Sequence, residues 1–176
     1  MGGNVSVMVP MDGYHYPQKI LDTFPDPKEA YARRGAYWTF DAQGLLTLTE
    51  ALRRPIDSSQ TITAPSYDHG KGDPVENDIE ILPSHKLVIM EGLYLHLKEP
   101  PVWKSIASHM DELWFLHIDR EIAKKRIIKR HIQTETEEQA FFRVENNDMV
   151  NANYILENSL IPTRTIISAD DPAHIT

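Results

Sequence analysis

The sequence predicts an α/β fold, a mostly parallel sheet flanked by helices, and two observations carry that prediction. Short apolar runs rich in Val and Ile recur at residues 5–9, 87–90 and 113–118, with weaker ones at 61–64 and 165–167. Runs of this kind read as strands buried on both faces, as in parallel sheets, whereas half-exposed strands alternate. Between them lie helical stretches at 41–53, after Pro101, at 119–131, and from 134 towards 160. Strands alternating with helices are the pattern of α/β folds.

Each element has its local reason. Asp41 and Asp119 stand where N-caps belong, since a short carboxylate accepts from the first unpaired helical amides. Arg53, Arg54 and Pro55 close the first of these helices, with positive charge at the negative end of its dipole. Residues 65–74 and 98–101 read as loops, being rich in Gly, Pro and polar side chains. No repeat, low-complexity tract or linker divides the chain, so residues 1–176 read as one domain with a single sheet.

Composition narrows the function. With 26 acidic against 18 basic side chains, the net charge of -8 opposes general nucleic-acid binding. An anionic ligand must therefore meet a local basic patch. The absence of cysteine excludes disulfides, thiolate metal sites and cysteine nucleophiles. No apolar run approaches the roughly 20 residues of a membrane span, and no charged-then-apolar leader opens the chain. A cytoplasmic protein is the expectation. MGGNVS fits a myristoylation pattern at Gly2 but lacks a second membrane signal. Asn4-Val5-Ser6 is a glycosylation acceptor only in a secreted protein.

Five segments carry chemistry. In PMDGYHY, residues 10–16, the first strand ends on Asp12, with Tyr14 and His15 close by. Ligands of open α/β sheets bind at the carboxyl ends of strands. A carboxylate there suits a general base or a magnesium ligand, while the plain alternative is a turn-capping aspartate. Gly13 supplies backbone angles that other residues resist. In KLVIMEGLYL a second strand delivers Glu91 to its carboxyl end, and if the two strands are neighbours both acids face one crevice.

The third segment, ARRGAYWTFD, places Arg34 and Asp41 about a turn rich in aromatics; arginine donates in pairs to phosphate or carboxylate. The fourth, APSYDHGKGDP, crowds Tyr67, Asp68, His69, Lys71 and Asp73 into a glycine-punctuated stretch after a strand. The fifth, REIAKKRIIKRHI, sets Arg126 and Arg130 one helical turn apart, on a face that is either merely solvated or able to meet phosphates.

Taken in order, these segments resemble the phosphoribulokinase and uridine kinase family of P-loop kinases, most of all its uridine kinase-like members, from about residue 5 to 155. The resemblance implies a P-loop kinase-like fold and ATP-dependent phosphorylation of a hydroxyl on a small molecule, with Mg²⁺. It implies that Asp12 takes the acceptor's proton and contributes to the metal site, that Glu91 supports magnesium, and that Arg126 and Arg130 neutralise the transferring phosphoryl group. Tyr14, His15, Arg34, Asp41, Tyr67 and His69 match motifs that enclose the acceptor. Asn147 and Asp148, in VENNDMVNA, resemble a late motif whose role stays open.

One departure is large. Such kinases begin with a strand and a G-x-x-x-x-G-K-[ST] loop. This sequence has no such run: its one Gly-Lys pair, Gly70-Lys71, is followed by Gly72. The expectation is a sheet without its first strand and phosphate loop, impaired nucleotide binding, and an open strand edge inviting association with another copy. The rival reading is a non-catalytic metabolite-binding or regulatory protein that keeps the acceptor pocket. In either case the partner is a small molecule, neither nucleic acid nor membrane.

Overall fold

The computed structural model describes residues 5–169. Its strands form three two-stranded sheets. β1 (Ser6–Pro10) runs into a 3₁₀ turn (Met11–Tyr14), followed by α1 (Gln18–Leu21), α2 (Pro27–Ala32), a second 3₁₀ turn (Tyr37–Thr39) and α3 (Ala42–Leu52). Then come β2 (Ile62–Asp68), β3 (Asp73–Ile81), β4 (Leu87–Glu91), α4 (Pro101–Ser108), β5 (Trp114–His117) and α5 (Arg120–His131). α6 (Glu137–Arg143), a π-turn (Val144–Asp148), α7 (Met149–Asn158) and β6 (Arg164–Ile167) complete the chain.

The two N-caps are as expected. Asp41 accepts from the Gly44 amide and Asp119 from those of Glu121 and Ile122. α6 opens with a reciprocal capping box between Thr136 and Gln139. The long helix expected from residue 134 is a succession of α6, π-turn and α7, so its path is helical but interrupted.

β1 pairs with β4 in parallel, with Pro10 opposite Glu91, and β5 pairs with β6 in parallel. The single sheet expected is thus corrected: among the described residues no strand joins β4 to β5. The strands are not buried on both faces either. Val9 is fully buried, and Val7, Val88, Met90 and Phe115 pack on the core with Tyr94, Trp103 and Ile106. Their neighbours Met8, Ile89 and Leu116 keep 59%, 48% and 64% of their surface exposed, which leaves the opposite face uncovered.

The loop expected at 65–74 is also corrected. β2 extends through Asp68, and β3 returns antiparallel to it from Asp73, so only four residues make the turn. Asp68 holds that turn by accepting from the amides of Gly70 and Lys71, and Gly72 adopts a left-handed φ of 70°. The hairpin forms one wall of the site.

Candidate active site

Asp12 lies in the 3₁₀ turn directly after β1, and Glu91 is the last residue of the strand beside it. The two acids therefore share one carboxyl edge. Each is followed by a glycine, and both glycines are required by close packing. A Cβ on Gly13 would lie 2.1 Å from the Pro65 carbonyl oxygen, and one on Gly92 would lie 2.3 Å from the Met11 Cβ. Neither has a positive φ, so the conformational role expected for Gly13 is corrected: space is what demands it. The Asp12 turn is wedged between β2 and the residue after Glu91.

The charges of the two acids oppose each other. Partial burial, and then the neighbouring Asp12, push the Glu91 carboxyl above the ordinary glutamate range. A carboxylate whose ionisation is disfavoured by burial and by a second acid beside it fits a hard divalent cation, which would relieve the repulsion. Among the described residues no cluster of three or more acid, His or Cys side chains offers a closed protein cage. A magnesium ion held here would keep water or substrate oxygens in its remaining positions.

His15 joins the acid turn to the hairpin. Its Nδ1 donates to the Asp12 carbonyl at 2.9 Å, and its ring lies 4.0 Å from Phe40 and 4.8 Å from Tyr67 between centroids. Burial holds its pKa below the ordinary histidine value, against the opposing pull of Asp12. Tyr67 in turn meets His69 at 5.1 Å and carries the Arg34 guanidinium 5.7 Å above its ring. Arg34 donates to the Tyr16 carbonyl at 3.1 Å and approaches Asp73 at 3.4 Å. Its Nε is buried with no hydrogen-bond partner. A buried donor without a partner is costly, and an oxygen-rich ligand would satisfy it.

Tyr14 and Asp41 face another side. A cleft of about 470 Å³ is lined by Tyr14, His15, Tyr16, Lys19, Asp41 and Glu76, among others, which is a ligand-sized space. Burial, followed by the charges of Asp41 and Glu76, drives the Tyr14 hydroxyl far above its ordinary value. The expected acceptor residues are therefore divided: Asp12, Arg34, Tyr67 and His69 cluster on one side, Tyr14 and Asp41 line the cleft, and His15 borders both.

Arg126 and Arg130 do lie one turn apart on α5, and Arg126 donates to Ser168 just past β6. What connects α5 to the Arg34 wall is a network that motif reading left without a role. Arg33 donates to the side chains of Asn147 and Asn151, Asn147 donates to the Arg34 carbonyl, and Asp148 holds His131 at 2.9 Å. Only the pairing of two amides and an acid in VENNDMVNA hinted at it.

The family model described as phosphoribulokinase / uridine kinase matches residues 16–145. The chain belongs to this family. It is 44% identical to the ATP-dependent kinase-like protein notR' of Aspergillus versicolor over 85% of this chain and 89% of that protein. It is 32% identical to the ATP-dependent kinase YFH7 of Saccharomyces cerevisiae over 93% of this chain, and spans 55% of that relative's length. The crystal structure of YFH7 superposes with a TM-score of 0.80 at 27% identity, covering 96% of this chain and 59% of that one. The fold is P-loop kinase-like, and membership implies ATP as phosphate donor, typically with Mg²⁺. No helix among the described residues is long and apolar enough to cross a membrane.

Proposed function

We propose that this chain takes part in Mg²⁺-dependent transfer of the γ-phosphoryl group of ATP to a hydroxyl of a small molecule, a nucleoside or a related metabolite. The observation that carries the reading is the delivery of Asp12 and Glu91 to one carboxyl edge by the paired strands β1 and β4. Asp12, whose side chain keeps 45% of its surface accessible, is placed to take the proton of the attacking hydroxyl. Glu91 and Asp12 together would hold the magnesium, which when bound neutralises phosphate charge. Arg34, His15, Tyr67 and His69 would orient the acceptor, with the open Arg34 Nε favouring an acceptor rich in oxygen. Tyr14 and Asp41 would reach it from the cleft side. Arg126 and Arg130 would meet the phosphates, a role suited to the fixed charge and fork geometry of arginine.

A second reading is a metabolite-binding or regulatory protein that retains the acceptor wall without catalysis; it is favoured by the buried, unpartnered Arg34 Nε, which an oxygen-rich ligand would satisfy with no phosphoryl donor. The two readings separate in one experiment. Label transfer from γ-labelled ATP to a panel of nucleosides and hydroxylated metabolites is measured for the 176-residue chain and for Asp12→Asn. The first reading predicts Mg²⁺-dependent transfer that falls by at least about 100-fold in Asp12→Asn. Metabolite binding with no transfer supports the second, and transfer that survives Asp12→Asn overturns the role given to Asp12.

A further inference from the structure

The π-turn Val144–Asp148 has two working sides. Towards α5 it presents acids: Glu145 pairs with Lys124, and Asp148 Oδ2 lies 2.9 Å from His131 Nε2. Lys124 and His131 are seven residues apart, so both lie on one face of α5, about two turns from each other. That helix is thus gripped at two points, and the segment between them carries Arg126 and Arg130. Towards the acceptor wall the same turn presents amides. Asn147 Oδ1 accepts from Arg33 Nε at 3.0 Å and from Asn151 Nδ2 at 3.1 Å, while its Nδ2 donates to the Arg34 carbonyl at 3.1 Å. Asn151 Oδ1 accepts from the Arg33 guanidinium at 2.9 Å.

Asn147 is 4% exposed and Asn151 7%, so this is a buried polar network in which the Asn147 amide uses its oxygen and one N–H. Such networks hold geometry strongly when satisfied and are costly when half broken. The Arg33–Gly35 corner is also pinned from its other side, since the Tyr94 hydroxyl donates to the Gly35 carbonyl at 2.6 Å. Adjacent residues of one π-turn therefore fix the corner that aims Arg34 and the helix that carries the basic pair. π-bulges recur at functional sites because the extra residue redirects side chains that a regular helix would point elsewhere.

We propose that Asn147 is a positioning residue for Arg34, and that the π-turn is a joint coupling the acceptor wall to the basic helix α5. The acceptor and phosphate roles at its two ends rest on the function proposed above; the joint itself does not. Displacement at either end is passed to the other through residues 147 and 148. This gives the VENNDMVNA segment its role: it keeps Arg34 and the Arg126/Arg130 pair in register.

The test is hydrogen exchange on the full chain, without ligand, in three variants. Asn147→Asp keeps an oxygen for Arg33 and Asn151 but has no N–H for the Arg34 carbonyl. Loss of one ordinary hydrogen bond predicts exchange about fivefold faster at the amides of residues 34–36. The joint further predicts at least about twofold faster exchange at residues 125–131, to which the Asn147 side chain makes no hydrogen bond. His131→Gln weakens the grip at the other end, and reciprocity requires faster exchange at 34–36 as well as in α5. Asn146→Ala is the control. That exposed side chain donates to the Phe142 carbonyl in α6, makes no hydrogen bond to the Arg33–Gly35 corner or to α5, and should change neither region.

An Asn147→Asp effect confined to residues 34–36, or an equal response to Asn146→Ala, overturns the joint. His131→Gln answers the same question if Asn147→Asp does not fold. In the label-transfer assay Asn147→Asp should raise the KM for the acceptor by more than it lowers kcat. Absence of transfer to any acceptor would count against the kinase reading alone, because the exchange results decide the joint without it.

Discussion

Gly13→Ala tests whether space, not backbone freedom, explains the glycine after Asp12. A Cβ at this position would lie 2.1 Å from the Pro65 carbonyl oxygen and 2.6 Å from its carbon. Real Cβ atoms essentially never come within 3.0 Å of an atom outside their own residue and its chain neighbours, so the 3₁₀ turn and β2 must part by about 0.9 Å. Both sides of the contact are backbone, and no rotamer change can relieve it. Overpacking of this kind costs about 3 kcal/mol. For a chain of this length the melting temperature should fall by roughly 6–12 °C. Thermal and guanidinium unfolding of the variant measure that cost directly. Because the displaced turn carries Asp12, any phosphoryl transfer should fall about 100-fold as well, the usual penalty for a misplacement near 1 Å. A variant that melts within a degree of the parent would refute the steric argument, since no left-handed φ at this position offers a second reason for glycine.

Two further outcomes follow from the structure. Asp41→Ala removes the acceptor for the Gly44 amide and should cost about 1 kcal/mol, a melting shift of roughly 2–4 °C; no shift would deny that Asp41 caps α3. Burial holds the His96 pKa below its ordinary value, partly offset by a bond with the Trp114 backbone, so folding disfavours the protonated ring. Its contribution to stability is complete above the ordinary histidine pKa and is lost as pH falls through the lower folded value. His96→Gln should flatten that limb of the stability curve, and an unchanged limb would place its origin elsewhere.

The strands were legible where Val and Ile run together, and residues 5–9 and 87–90 became the adjacent pair that carries the two acids. Asp41 and Asp119 were legible as caps because capping is a local interaction. β3 was not, because DPVENDIEI carries four acids and its apolar Val75, Ile79 and Ile81 are scattered at alternate positions across a bulged, largely exposed hairpin. That weak period of two was the available signal. Gly13 and Gly92 were visible as glycines, but their reason lies in Pro65 and Met11, which only folding brings against them. The Arg33–Asn147–Asn151 network joins residues more than 110 positions apart, and no local pattern encodes such a pairing. The division of the acceptor residues between the Arg34 wall and the cleft is likewise a property of the 3₁₀ turn, which sends Asp12 and Tyr14 to different sides.

The Asp12–Glu91 pair is the centre of the account, and a Mn²⁺ titration followed by electron paramagnetic resonance, with Mn²⁺ standing in for Mg²⁺, tests it most directly. A metal site on this pair requires one saturable ion per chain, displaced by Mg²⁺, tightened by added ATP, and lost in both Asp12→Asn and Glu91→Gln. Binding that persists unchanged in both variants, or no binding by the parent chain with ATP present, would contradict it.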